Sequence, residues 1–159
     1  MKGHLKLRTA FVAGCLLTLL VLGLAGAQTA PKVGSGDVVA DRQRLMKLNG
    51  ASWADAQAKF KAGNIEAIAV NAETIAVMAP HIPALFPQGS LTEKSNAKPE
   101  IWEKRAEFDS AAQNLQSWAE KLRDTAKTKD AAATEAIVKD FGRQACGTCH
   151  TPFRVPPKS

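Results

Sequence analysis

Hydrophobic positions recur at helical spacing in four stretches, and no stretch alternates as a strand would. Asp37 can N-cap a first helix running to about Gly63, with Val39, Met46, Trp53 and Phe60 each seven apart and Val38 and Leu45 beside them. Asn49-Gly50 interrupts that stripe, and Ser52-x-x-Asp55 could restart a helix as a capping box. A single helix in which Gly50 permits a close approach to the backbone is preferred, with two helices as the alternative. A second helix from about Ile65 carries Ile68, Ala72, Ile75 and Ala79, until Pro80 and Pro83 stop it. Residues 81–98 hold prolines, Gly89 and small polar residues and read as a long irregular connection.

Pro99 suits the first position of a third helix. Its seam of Ile101, Arg105, Phe108, Ala112, Leu115, Ala119, Leu122 and Ala126 alternates steps of four and three. After a turn at residues 127–130, Ile137, Val138, Phe141 and Ala145 mark a fourth helix. Pro152 cannot donate a helical hydrogen bond, so that helix should end or kink there. The expected fold is all-α, a four-helix bundle.

The N-terminal end adds a processing segment. Lys2, Lys6 and Arg8 precede an apolar run from Ala10 to Leu24, and Ala25-Gly26-Ala27 offers a small-x-small cleavage site. Residues 1–27 are therefore expected to be a secretory signal, 28–36 a flexible lead-in, and 37–159 the folded domain. An uncleaved membrane anchor is the competing reading, but the run falls short of the ~20 apolar residues a spanning helix needs. Val12-Ala13-Gly14-Cys15 resembles a lipobox, yet most of the apolar run follows it rather than precedes it.

Cleavage would remove Cys15 and leave Cys146 and Cys149 as the cysteines of a periplasmic protein. Losing three basic residues also takes the formal charge from +6 to +3. A mild positive balance suits steering toward acidic redox protein partners. Nothing in the chain interleaves basic and aromatic residues as a nucleic-acid binder would, and no stable membrane insertion is expected after cleavage.

The candidate chemistry lies in Cys146-Gly147-Thr148-Cys149-His150. Two cysteines three apart, with a histidine directly after the second, read as a covalent c-type haem attachment site. Positions i and i+3 share a helix face, so both thiols can reach one flat macrocycle, and His150 can sit beneath it as an iron ligand. A structural zinc site would need a second cysteine or histidine pair, and only His4, His81 and Cys15 remain. A thioredoxin-like motif would need surrounding strands. A simple disulfide leaves His150 unexplained. The expected cofactor is one covalent haem c with its iron.

Three further stretches resemble the cytochrome c′ superfamily, the class II cytochromes c. Arg42-Gln43-x-x-Met46 is similar to the family's first-helix segment, Lys98-Pro99-Glu100-Ile101-Trp102 to the opening of its third helix, and Cys146-x-x-Cys149-His150-x-x-Phe153-Arg154 to its ending. The resemblance implies a left-handed up-down-up-down bundle in a periplasm, with His150 as the fifth iron ligand. Pro152 departs from the helical residue usual there. The family divides on its distal residue. An apolar side chain leaves the iron five-coordinate and open to gases, whereas methionine closes the sixth position.

Here that position is Met46, and the resemblance implies that it ligates; its periodicity alone is equally compatible with a methionine filling a core gap. Met78 and His81 are the rival sixth ligands. Arg42 is expected to pair with a haem propionate, since a guanidinium matches a carboxylate in two hydrogen bonds; its alternative is a solvated helix-face charge. Trp102 and Phe141 are read as packing around the ring, Trp53 and Trp118 as core or half-exposed, and Arg154 as lying near the proximal face.

The expected function is that of a periplasmic one-electron carrier, not an enzyme, with iron held by His150 and Met46. Its alternatives are a five-coordinate protein binding nitric oxide or carbon monoxide, and a haem-bearing partner or assembly protein. A monomer and a homodimer paired through the first two helices both fit the sequence.

Overall fold

The computed structural model describes residues 34–156. The segment expected to be a secretory signal (residues 1–27), with Cys15, and most of the lead-in lie outside the described residues.

α1 spans Val38–Lys61. The Asp37 carboxylate accepts from the backbone N–H groups of Val39 at 3.0 Å and Ala40 at 3.1 Å, satisfying two of the donors a helix start leaves open. The helix runs through Asn49-Gly50 unbroken, so the single-helix reading holds. A Cβ on Gly50 would meet no protein atom within 4 Å, and Gly50 lines the cavity described below. α1 ends where Gly63 takes φ 73°, a left-handed conformation that costs glycine little.

α2 spans Ile68–Met78 and buries Ile68, Ala72 and Ile75. It begins later than the periodicity suggests because residues 65–67 form tight turns, with Ile68 N–H donating to Ile65 O and Ala69 N–H to Glu66 O. Pro80 and Pro83 then open two 3₁₀ turns, Ala79–His81 and Pro83–Leu85. The connection expected to be irregular is thus compact at its start.

The third bundle helix is broken. α3 covers Glu100–Glu103, Lys104 leaves helical geometry at φ −118° and ψ 49°, and α4 runs Arg105–Lys127. Both flanks of the break are tied to the preceding loop. The Trp102 indole N–H donates to the Phe86 and Pro87 carbonyls, and the Arg105 guanidinium donates to those of Pro83 and Phe86. The seam survives the break: Ile101, Phe108, Ala112, Leu115, Ala119, Leu122 and Ala126 are all buried. Arg105 reaches outward to the loop and is only half-buried.

Asp130 caps α5 (Ala131–Phe141) through the Ala133 N–H at 2.9 Å. The helical path then widens into a π turn over Gly142–Gly147 before α6, Thr148–Phe153. As Pro152 implies, the helix ends there, and Arg154 is extended. The bundle therefore consists of α1, α2, α3–α4 and α5–α6. Its core includes two edge-to-face aromatic contacts, Phe86 on Phe108 at 4.9 Å and Phe108 on Phe153 at 5.4 Å. Among the described residues the only β pairing is one isolated bridge, Ala97 to Arg154, and no helix is long and apolar enough to cross a membrane.

Candidate haem site

A cavity of about 550 Å³ opens between α1, the loop after α2 and the end of the fourth bundle helix. Its size lies within the range of small-molecule and cofactor pockets. α1 contributes Arg42 and Met46 one turn apart on one face; α6 contributes Cys149, His150 and Phe153, with Arg154 just beyond. Ile82, Phe86, Ile101 and Phe108 supply much of its apolar wall.

Cys146 and Cys149 are half-buried free thiols. Burial raises the pKa of Cys146, and burial together with the neighbouring Cys146 pushes Cys149 up to about 11. Both are therefore protonated thiols at neutral pH rather than reactive thiolates. His150 is exposed along the cavity edge. Partial desolvation of its ring lowers its pKa, and the charge of Arg154 lowers it further, which favours the neutral imidazole that binds metal.

Arg42 is the most constrained polar group in the wall, at 4% exposure. Its Nη1 donates to the Ser90 hydroxyl at 2.9 Å and the Leu85 carbonyl at 3.4 Å; Nη2 donates to the Ser90 carbonyl at 2.9 Å and the Ser95 hydroxyl at 2.6 Å. The guanidinium also lies 4.6 Å from the centre of the Phe86 ring. All of these partners are neutral. Burial lowers its pKa, and only the more distant charge of Asp37 opposes that. A buried cation without a contacting counter-charge is costly to hold unless an anion completes the site.

One turn after Met46, neither polar atom of the buried Asn49 carboxamide has a partner. Asn49 itself does not line the cavity, so the uncompensated Arg42 guanidinium is the polar feature of the wall that an anionic edge would complete. The Cys149 thiol, a neutral imidazole, a thioether and an aromatic wall form a donor set suited to a haem, while Cys146, one turn before Cys149, does not itself line the cavity.

Not every expected residue lines the cavity. Phe141 is fully buried against Trp53, ring centres 4.4 Å apart and planes at 22°. Trp102 is half-buried and holds the loop through its indole N–H. The lining aromatics are instead Phe86, Phe108 and Phe153. Met78 and His81 do not line the cavity, and His81 is exposed. Trp53 and Trp118 are both half-buried. Sequence reasoning passed over Ser90 and Ser95, the hydroxyls that engage Arg42. Their only signal is a small polar cluster after Gly89, which does not name a partner.

The sequence model of the family described as Cytochrome C′ matches residues 37–154, from the α1 cap to the residue after α6. The chain belongs to the cytochrome c′ family. Its cofactor is accordingly a covalently bound haem c with iron, and Cys146 and Cys149 fit the attachment motif. A cytochrome c′ of Rhodopseudomonas palustris is 34% identical over 155 residues, covering 95% of this chain and 98% of that protein. A cytochrome c-556 of the same organism is 31% identical over 147 residues, covering 87% of this chain and 97% of that one. Among solved structures, a nitric oxide complex of a variant cytochrome c prime from Alcaligenes xylosoxidans superposes with a TM-score of 0.67 at 26% identity, over 76% of this chain and 95% of that one.

Proposed function

We propose that this cytochrome c′ family member is a periplasmic one-electron carrier whose haem iron is held by His150 and Met46. The observation that carries the reading is the presence of both side chains, from opposite ends of the sequence, in the wall of one cavity. When bound, haem c supplies a one-electron iron couple and the protein supplies ligands, burial and a docking surface. Cys146 and Cys149 would hold the haem as thioethers, each S–H adding across one vinyl double bond so that an S–C and a C–H bond replace the S–H and the C=C π bond with no net exchange of electrons. His150 offers a neutral ring nitrogen. Met46 offers a soft, neutral thioether that favours reduced iron and raises the potential. Arg42 supplies a buried positive charge to the wall that suits a propionate, though its Nη donors are already engaged by Leu85, Ser90 and Ser95.

A second reading has support of its own. One similar solved structure is a nitric oxide complex, and one relative matched over nearly its whole length is a cytochrome c′, which supports a gas-binding haem. Met46 is the residue that argues for the carrier, because a ligating thioether occupies the position a gas would take. Leu48 on α1 and Val70 and Val77 on α2 are exposed apolar residues, which suits pairing of two copies through these helices.

The Met46→Leu variant tests the assignment. Loss of the ligand converts a low-spin, carbon monoxide-resistant protein into a high-spin one that binds the gas. A variant with the spectrum of the wild type would remove Met46 from the iron.

A further inference from the structure

The fourth bundle helix changes hydrogen-bond register inside the haem motif. The π turn over Gly142–Gly147 contains Cys146, while Cys149 and His150 follow it in α6. A π turn holds one residue more than an α turn. Every side chain beyond it is therefore rotated by about one residue step, roughly 100°, from where an uninterrupted α-helix would put it. Cys149 and His150 face the cavity in this rotated frame.

Such turns are rare and need a cause. The glycines at either end do not require it sterically. A Cβ on Gly142 would meet nothing within 4 Å, and one on Gly147 would make only an ordinary contact with the Gly142 carbonyl at 3.6 Å. Where a π turn passes back into an α-helix, the ladder shifts by one and a backbone carbonyl needs a donor from elsewhere. Here Asn114, on α4, provides one. Its Nδ2 donates to the Gln144 carbonyl at 2.6 Å and to the Thr148 hydroxyl at 3.1 Å. The Thr148 hydroxyl lies 3.1 Å from the same carbonyl and 3.3 Å from that of Ala145. Asn114 is half-buried within a turn that otherwise faces the core through Ala111, Ala112 and Leu115, and asparagine is not a residue that helix propensity would favour there.

We infer that Asn114 is a positioning residue for haem attachment: its amide, through Gln144 and Thr148, fixes the π register that turns Cys149 and His150 toward the cavity. The inference rests on attachment at Cys146 and Cys149 and is independent of the sixth ligand.

The test compares wild type and Asn114→Asp, each produced with haem maturation. Aspartate has the shape of asparagine but its carboxylate cannot donate to a carbonyl. Intact mass gives the fraction of chain carrying one covalent haem; absorption and circular dichroism are recorded on the loaded fraction. Asn114→Asp is expected to lose loading relative to wild type and to shift the absorption of what does load, with helix content unchanged. Equal loading and an identical spectrum in Asn114→Asp would overturn the inference. So would a loaded Asn114→Asp protein with diminished helix content, which would make Asn114 a support of the whole bundle. A wild type without covalent haem would overturn the attachment assignment and this inference with it.

Discussion

Arg42 and Ser90, 48 residues apart in sequence, are joined twice: Nη1 donates to the serine hydroxyl and Nη2 to its carbonyl, both at 2.9 Å. One buried side chain on α1 thereby fixes the loop that forms a wall of the cavity. Arg42→Leu leaves the Ser90 carbonyl without its donor in a buried position and should cost about 2–4 kcal/mol in urea unfolding. Arg42→Lys should recover only part of that, because an ammonium cannot span the donors of a planar fork.

Phe141 makes a different kind of contribution. It is fully buried and stacked on Trp53, which ties the end of α5 to α1. Phe141→Ala should lower stability by about 3–5 kcal/mol, combining lost burial with the cavity left behind. Thermal and urea unfolding of the variant give the number directly.

The polar network around Asp55 is an acid-sensitive contact. The Asp55 carboxylate accepts from Lys59 and from the Asn71 amide, each at 2.8 Å, and Lys59 also donates to Asn71 at 2.7 Å. The hydrogen bond from Lys59, then that from Asn71, lowers the pKa of Asp55 below its ordinary value. A depressed carboxylate pKa contributes stability above the unfolded-state value and loses it as pH falls through the folded-state value. The melting temperature of wild type should therefore exceed that of Asp55→Asn at pH 7, and the gap should narrow as pH drops below the carboxylate range. A gap that is constant with pH would show that the charge of Asp55 contributes nothing.

The helices and their buried faces were legible because each has a strong local signal. Asp37 caps where its side chain suggests, and the seam from Ile101 to Ala126 is buried except at Arg105. The attachment motif was legible because its spacing is chemistry. Three features were not. The break at Lys104 accompanies Trp102 and Arg105 reaching carbonyls in a loop some 15–22 residues earlier, a tertiary demand that periodicity does not encode. The π turn accompanies Asn114 on another helix bonding Gln144, and nothing in the local sequence Gly142–Gly147 names that partner. Phe141 has the spacing of a cavity-facing residue, but in the structure it stacks on Trp53.

The C-terminal segment behaves as a clip. The Lys98 N–H donates to the Phe153 carbonyl at 3.0 Å and the Val155 N–H to the Asn96 carbonyl at 2.8 Å, so the end of α6 and the loop form one wall. Val155→Pro removes the second donor and should loosen this wall by about 1 kcal/mol. Faster amide exchange at Lys98 in the variant would report it, and unchanged exchange there would mean that the two segments hold independently.

The most direct measurement is the absorption spectrum of the haem-loaded wild-type protein, oxidised and reduced, with and without carbon monoxide. The account predicts a low-spin spectrum with the weak far-red band of a sulfur–iron bond, unmoved by the gas. A high-spin spectrum that shifts sharply with carbon monoxide would contradict Met46 ligation and establish the gas-binding reading in its place.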